Sequence, residues 1–178
     1  MFWIGCSTEF ASPYYTWNDI LHINSYPYRI SQCTGASFYN PSIPGATLAA
    51  RYNNDGSLNT ASRYRLVRNV VEKVKNGQNT DGPYYCETEN RQTLDDFDIV
   101  MIPAGGNDYT DDIQLGSPDD MVDTTFYGAL NMTVKWIEEA SERRVSKGKP
   151  PIKIVFLQLV YGERYKSKFL ELHDRFNR

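Results

Sequence analysis

Histidine occurs only twice, at His22 and His173, and cysteine three times, at Cys6, Cys33 and Cys86. Two imidazoles so far apart do not make a histidine-rich metal centre. Three scattered cysteines form neither a metal-ligand spacing nor a disulfide framework, so a reducing compartment, the cytoplasm, is the default. No apolar run approaches the ~20 residues that a membrane span needs. The stretch Met1 to Gly5 is too short for a signal-peptide core and has no basic start. There is no excess of positive charge either: 19 Lys and Arg stand against 22 Asp and Glu, a formal net charge of -3. That balance argues against nucleic acid or an anionic membrane surface as partner. The basic cluster Arg143, Arg144, Lys147 and Lys149 reads as a solvated helix end. Internal repeats, low-complexity segments, a G-x-G-x-x-G and a P-loop are all missing, which disfavours a nucleotide or phosphate binder.

What is present is one domain's worth of chain: 178 residues, 40% hydrophobic. Phe2, Trp3 and Ile4 make a short first strand ending in Gly5-Cys6-Ser7. Trp17, Ile20 and Leu21 fall at helical spacing and predict a helix near Thr16 to Ile23. Tyr28, Ile30 and Cys33 suggest a weak second strand. From Gly35 to Gly56 the chain reads as loop, broken by Asn40, Pro41, Ser42, Pro44 and Gly45. Val67, Val70, Val71 and Val74 share one face of a helix predicted over Ala61 to Lys75, closed by Asn76-Gly77. Gln78 to Asp95 reads as a polar surface excursion, and a strand starts at Phe97. Asp111 to Asp120 lacks the spacing of an EF-hand loop and reads as a solvated acidic loop rather than a calcium site. A helix capped by Asp123 or Thr124 carries Phe126, Ala129, Leu130, Ile137 and Ala140 on one face. Ile152 to Val160 is the strongest strand, and Tyr165, Phe169, Leu172 and Phe176 mark a last amphipathic helix. This alternation predicts an α/β domain with a doubly wound parallel sheet.

The stretch the rest is organised around is Asp98 to Asp108. Ile99, Val100, Met101 and Ile102 form a run suited to a strand buried on both faces. Pro103 ends the ladder, and Ala104, Gly105 and Gly106 allow a tight turn into Asn107 and Asp108. In open α/β sheets ligands bind beyond the carboxyl ends of the strands, so this turn delivers polar groups to the place where such folds do chemistry.

Three turns together carry a resemblance: Gly5-Cys6-Ser7 after the first strand, Ser42 to Thr47 with Gly45, and Gly105-Gly106-Asn107-Asp108. In order and spacing they resemble the SGNH (GDSL-type) hydrolases. Trp17, Asn40, Tyr109 and Leu115-Gly116 fit as flanking residues. The resemblance runs from Phe2 to about Val160. It implies a three-layer α/β/α fold with a flavodoxin-like parallel sheet over residues 1–178. It implies an ester hydrolase in which Ser7 is the nucleophile. The oxyanion hole would come from the N–H of Ser7, the N–H of Gly45 and the side-chain amide of Asn107. No metal or organic cofactor is implied, and the substrate would be a small-molecule or polysaccharide ester. Fixed donors of this kind need not reorganise as the oxyanion forms.

Two departures stand out. Cys6 replaces the aspartate of the G-D-S motif, and reads as a small buried side chain behind the turn. No D-x-x-H occurs in the C-terminal part of the chain, although the family draws its general base from that motif after one more strand. His173 follows Leu170 by three positions inside the last helix, and His22 lies in the first. The expectation is a sequence truncated before its last strand; the alternative is a catalytically inactive binding module for carbohydrate or protein, using Tyr14, Tyr15 and Trp17.

Overall fold

The computed structural model describes residues 1–5, 26–43, 45–53, 55–57, 65–78, 93–103 and 105–157. The domain is α/β. Among the described residues three parallel strands form its sheet: β1 (Phe2–Trp3), β2 (Ile99–Ile102) and β3 (Lys153–Phe156), in the order β1-β2-β3. Val100 lies opposite Phe2 on one side and Ile154 on the other. The four apolar residues of β2 are central, as the unbroken run predicts. Phe2, Ile4, Val100 and Ile102 turn to one face and enter the main core. Trp3 and Met101, one residue out of phase, turn to the other face and are buried too. Beyond β1, Tyr39 makes a parallel bridge to Phe2, with its N–H on the Met1 carbonyl at 2.8 Å. Phe2, Tyr39 and Phe97 stack there, with Phe2 and Phe97 centroids 4.9 Å apart.

The weak strand expected at Tyr28, Ile30 and Cys33 is instead a helix, α1 (Tyr26–Thr34). Alternation over a few residues is too short to overrule helix punctuation. Pro27 sits in the first turn, where a missing N–H costs nothing, and Gly35 follows at φ +68°. The place of a second strand is taken by the Tyr39 bridge, inside the stretch expected to be loop.

The valine helix is present as α2, a π-helical segment Val67–Glu72 running into an α-helical turn Lys73–Lys75. Val67, Val70, Val71 and Val74 are all buried. Its end is a paired-bond C-cap: Gly77 at φ +63° donates to Val74 O at 3.1 Å, and Gln78 donates to Lys73 O at 2.8 Å. A 3₁₀ turn, Leu94–Asp96, capped by Thr93, leads into β2, which starts at Ile99 rather than Phe97. After the short helix α3 (Gly106–Thr110) comes α4 (Phe126–Ser146), which buries Ala129, Ile137 and Ala140 as expected. Its cap is neither Asp123 nor Thr124. Thr125 is the cap, its hydroxyl accepting the Gly128 N–H at 3.1 Å. Asp123 is drawn away by Arg68, whose Nε lies 2.7 Å from its carboxylate.

The basic cluster at the end of α4 is not simply solvated. Arg144 is buried, and donates from Nε to Pro150 O at 3.0 Å, from Nη1 to Asp95 O at 2.8 Å and from Nη2 to Asp98. It ties the end of α4 to the entry of β2. Arg143 forks onto Asp95 and remains half exposed. β3 pairs with β2 along its whole length, but Phe156 is 55% exposed. The expected helices near Thr16 to Ile23 and around Phe169, and most of the excursion from Gln78, lie outside the described residues.

Candidate functional site

The chain order across the sheet marks a point at which the winding reverses. From β1 the chain passes outward to Tyr39, whereas β2 and β3 lie on the other side of β1. The direction of winding therefore reverses between β1 and β2. A crevice opens at the carboxyl ends of two such strands, where ligands of open α/β sheets bind. Gly5 leaves β1 at that edge, and Gly105, Asn107 and Asp108 leave β2 there.

Between them runs the segment from Asn40 to Ala50, expected from its breakers to be an ordinary loop. It is among the most buried parts of the domain: Ile43, Leu48 and Ala49 have no exposed surface. A buried loop must satisfy its backbone without a ladder. Asn40 Oδ1 accepts the Ser42 N–H at 3.3 Å and the Ser42 hydroxyl, an Asx turn. Ile43 N–H donates to Gly5 O at 3.2 Å, which joins the loop to β1. Ala46 N–H returns to Ile43 O at 3.0 Å, with Gly45 in the third position of that turn at φ +76°. That position is the one in which a type II turn calls for glycine. A Cβ there would meet nothing within 4 Å, so conformation rather than crowding explains the residue. The exposed Gly45 N–H takes part in no hydrogen bond among the described residues.

The rest of the segment is fastened residue by residue. Asn107 Nδ2 donates to Ala46 O at 2.7 Å. The N–H groups of Leu66 and Val67, entering α2, bond to Thr47 O at 2.8 Å and Leu48 O at 3.2 Å. Asp108 is 2% exposed and accepts from Leu48 N–H at 2.8 Å and Ala49 N–H at 2.9 Å, one on each carboxylate oxygen. Ala50 N–H goes to Asp123 O at 2.6 Å. Burial pushes the Asp108 carboxyl up to about 6, although both N–H bonds pull the other way; the neighbouring Asp111 adds to the rise.

Of the expected site residues, Gly45 and Asn107 are brought together, each one hydrogen bond or one residue from Ala46. Ser7 and Cys6 lie outside the described residues, as do His22, His173 and the aromatic group Tyr14, Tyr15 and Trp17. An amide NH2 carries two donors. Asn107 uses one on Ala46 O; among the described residues its second, like the N–H of Gly45 in the adjoining turn, takes part in no hydrogen bond. These are neutral donors, suited to an oxyanion. Asp108, by contrast, is turned away onto the segment and is not placed to move a proton. The sequence marks Asp108 as the end of the G-x-N-D turn but gives no sign of its partners, which lie 60 and 59 residues earlier.

A second concavity of about 340 Å³ opens beside α2, flanked by Tyr52, Arg65 and Lys73. Arg68 within it is already held by Asp123 at 2.7 Å and Glu72 at 2.9 Å. It shares no residue with the Gly45 and Asn107 turns. Among the described residues no group of His, Cys, Asp or Glu is arranged to hold a metal ion, and no helix is long and apolar enough to cross a membrane.

No protein-family model and no curated protein matches the chain. Among solved structures, a Lactobacillus plantarum protein determined as a structural genomics target is similar, with a TM-score of 0.51 at 19% sequence identity. The likeness covers 92% of this chain and 58% of that one, so the chain spans little more than half the length of its structural neighbour. At that identity the likeness speaks to fold alone.

Proposed function

We propose that the chain is a serine ester hydrolase of SGNH type, built on a three-layer α/β/α fold with a flavodoxin-like parallel sheet. Ser7 Oγ attacks the acyl carbonyl, the alcohol leaves with a proton, and water then releases the acid from the acyl-serine. The N–H groups of Ser7 and Gly45 and the Asn107 amide receive the oxyanion. The observation that carries this reading is the junction at Ala46. There the Gly45 turn and the G-x-N-D turn are bonded to each other at the carboxyl edge of β1 and β2, with neutral donors that take part in no other hydrogen bond among the described residues. Gly5, two residues before Ser7, is bonded into the same loop.

The reaction also needs a base within hydrogen-bond reach of Ser7. His22 and His173 lie outside the described residues, and the C-terminal part of the chain contains no D-x-x-H. The alternative reading is a non-catalytic module on the same fold that binds carbohydrate or protein. A fluorophosphonate probe separates the two. The hydrolase labels at Ser7 and the Ser7→Ala variant does not; a folded chain that never labels belongs to the binding reading.

A further inference from the structure

We propose that Asp108 is a positioning residue for this site: its carboxylate latches the segment 46–50 to the G-x-N-D turn and so holds the Gly45 turn in place beside Asn107. What is being positioned rests on the ester-hydrolase reading; the latch itself does not. Two consecutive residues of one short turn grip a five-residue segment at three points, Asn107 at Ala46 O and Asp108 at Leu48 N–H and Ala49 N–H. Asp108 supplies the acceptor for both amides. Leu66, Val67 and Asp123 bond to other backbone atoms of the same segment and cannot take over either one.

The chemistry of the side chain is specific. Two neighbouring N–H donors need two acceptor oxygens at one point, which a carboxylate has. Asparagine would offer one oxygen and set its NH2 against the other donor. Alanine would leave two buried N–H groups unpaired.

The test is residue-resolved amide hydrogen exchange on the wild-type chain and on Asp108→Ala and Asp108→Asn. At pH 7, Asp108→Ala should speed exchange at Leu48 and Ala49 about 10- to 100-fold, and Asp108→Asn by less. Val100 in β2 and Ile137 in α4 should stay within about twofold, because a latch opens locally. Unchanged exchange at Leu48 and Ala49 overturns the latch. Acceleration of all amides together also overturns it, since that is a global structural role. If Asp108→Ala fails to fold, Asp108→Asn, with the same volume, carries the comparison. Fluorophosphonate labelling at Ser7 reads the positioning: Asp108→Asn should label at least about tenfold more slowly at unchanged half-saturation, and undiminished labelling overturns it. Absence of labelling in the wild type removes the hydrolase reading alone, while exchange still decides whether Asp108 is the latch.

Discussion

Replacing Arg144 with methionine should separate a buried clamp from a surface ion pair. The Arg144 side chain is 4% exposed, and it donates to Pro150 O, Asp95 O and Asp98. Hydrogen bonds from a charged donor are worth roughly 1.5–3 kcal/mol each. Three would suggest a loss near the size of the domain's whole stability, which overstates the effect. Asp98 is 81% exposed, so its carboxylate recovers water when the guanidinium goes. Pro150 is exposed as well, so its carbonyl rehydrates. Removing a buried charge also returns its desolvation cost. What remains is chiefly the Asp95 carbonyl and the tie between α4 and β2. Methionine keeps the aliphatic bulk, so little cavity cost is added. The expected loss is about 2–3 kcal/mol. Arg143→Met is the control. Its side chain is 45% exposed and its pair with Asp95 is of the surface kind, worth about 0.2–1 kcal/mol. Urea unfolding followed by tryptophan fluorescence gives both values, compared at unchanged m. Arg144→Met within about 0.5 kcal/mol of wild type, or no worse than Arg143→Met, would refute the reasoning.

Asn107→Ala should lower kcat roughly 10²–10³-fold, with KM little changed, in any form of the protein that turns over an aryl ester. Because Asn107 also holds Ala46 O, it should cost about 1 kcal/mol of stability in urea as well. Gly128→Ala should destabilise although alanine is the better helix former by about 1 kcal/mol. Its Cβ would meet Val122 O at 2.0 Å and the capping hydroxyl of Thr125 at 2.7 Å; a loss of about 1–3 kcal/mol is expected by calorimetry or urea, and a gain would show the contact to be soft. The Arg143 hydrogen bond holds the Asp95 carboxyl below its usual value of 3.8. Its stabilisation is therefore present above that pH and lost as pH falls through the lowered value. The stability gap between wild type and Asp95→Asn should narrow below about pH 4; a gap that widens on acidification would reverse the assignment.

Several elements were legible in the amino-acid order because their causes are local. The run Ile99 to Ile102 had to be a strand covered on both sides, and both of its faces are buried. The valines at 67, 70, 71 and 74 and the apolar stripe of α4 announced their helices through spacing alone. Gly77 and Gly148 stopped those helices at φ +63° and +73°, where other residues strain. The Gly45 and Gly105-Gly106 turns were visible for the same reason. Tyr26–Thr34 was misread because a few alternating residues carry less information than a proline at one end and a glycine at the other.

Only the tertiary structure decided what the polar side chains do. Asp108 reads as a turn residue until the fold brings Leu48 and Ala49 against it. Arg144 reads as a solvated cation until β2 and the Asp95 turn close over it. Asp123 reads as a helix cap until Arg68 draws it off and Thr125 takes its place. The stretch from Asn40 to Ala50 reads as loop, yet most of its described residues are buried. Periodicity reports which face of an element is apolar, because burial repeats with the geometry of the backbone. It carries no record of which distant N–H or carbonyl a side chain will meet. Those pairings follow from which elements come into contact, and in this domain they determine the shape of the candidate site.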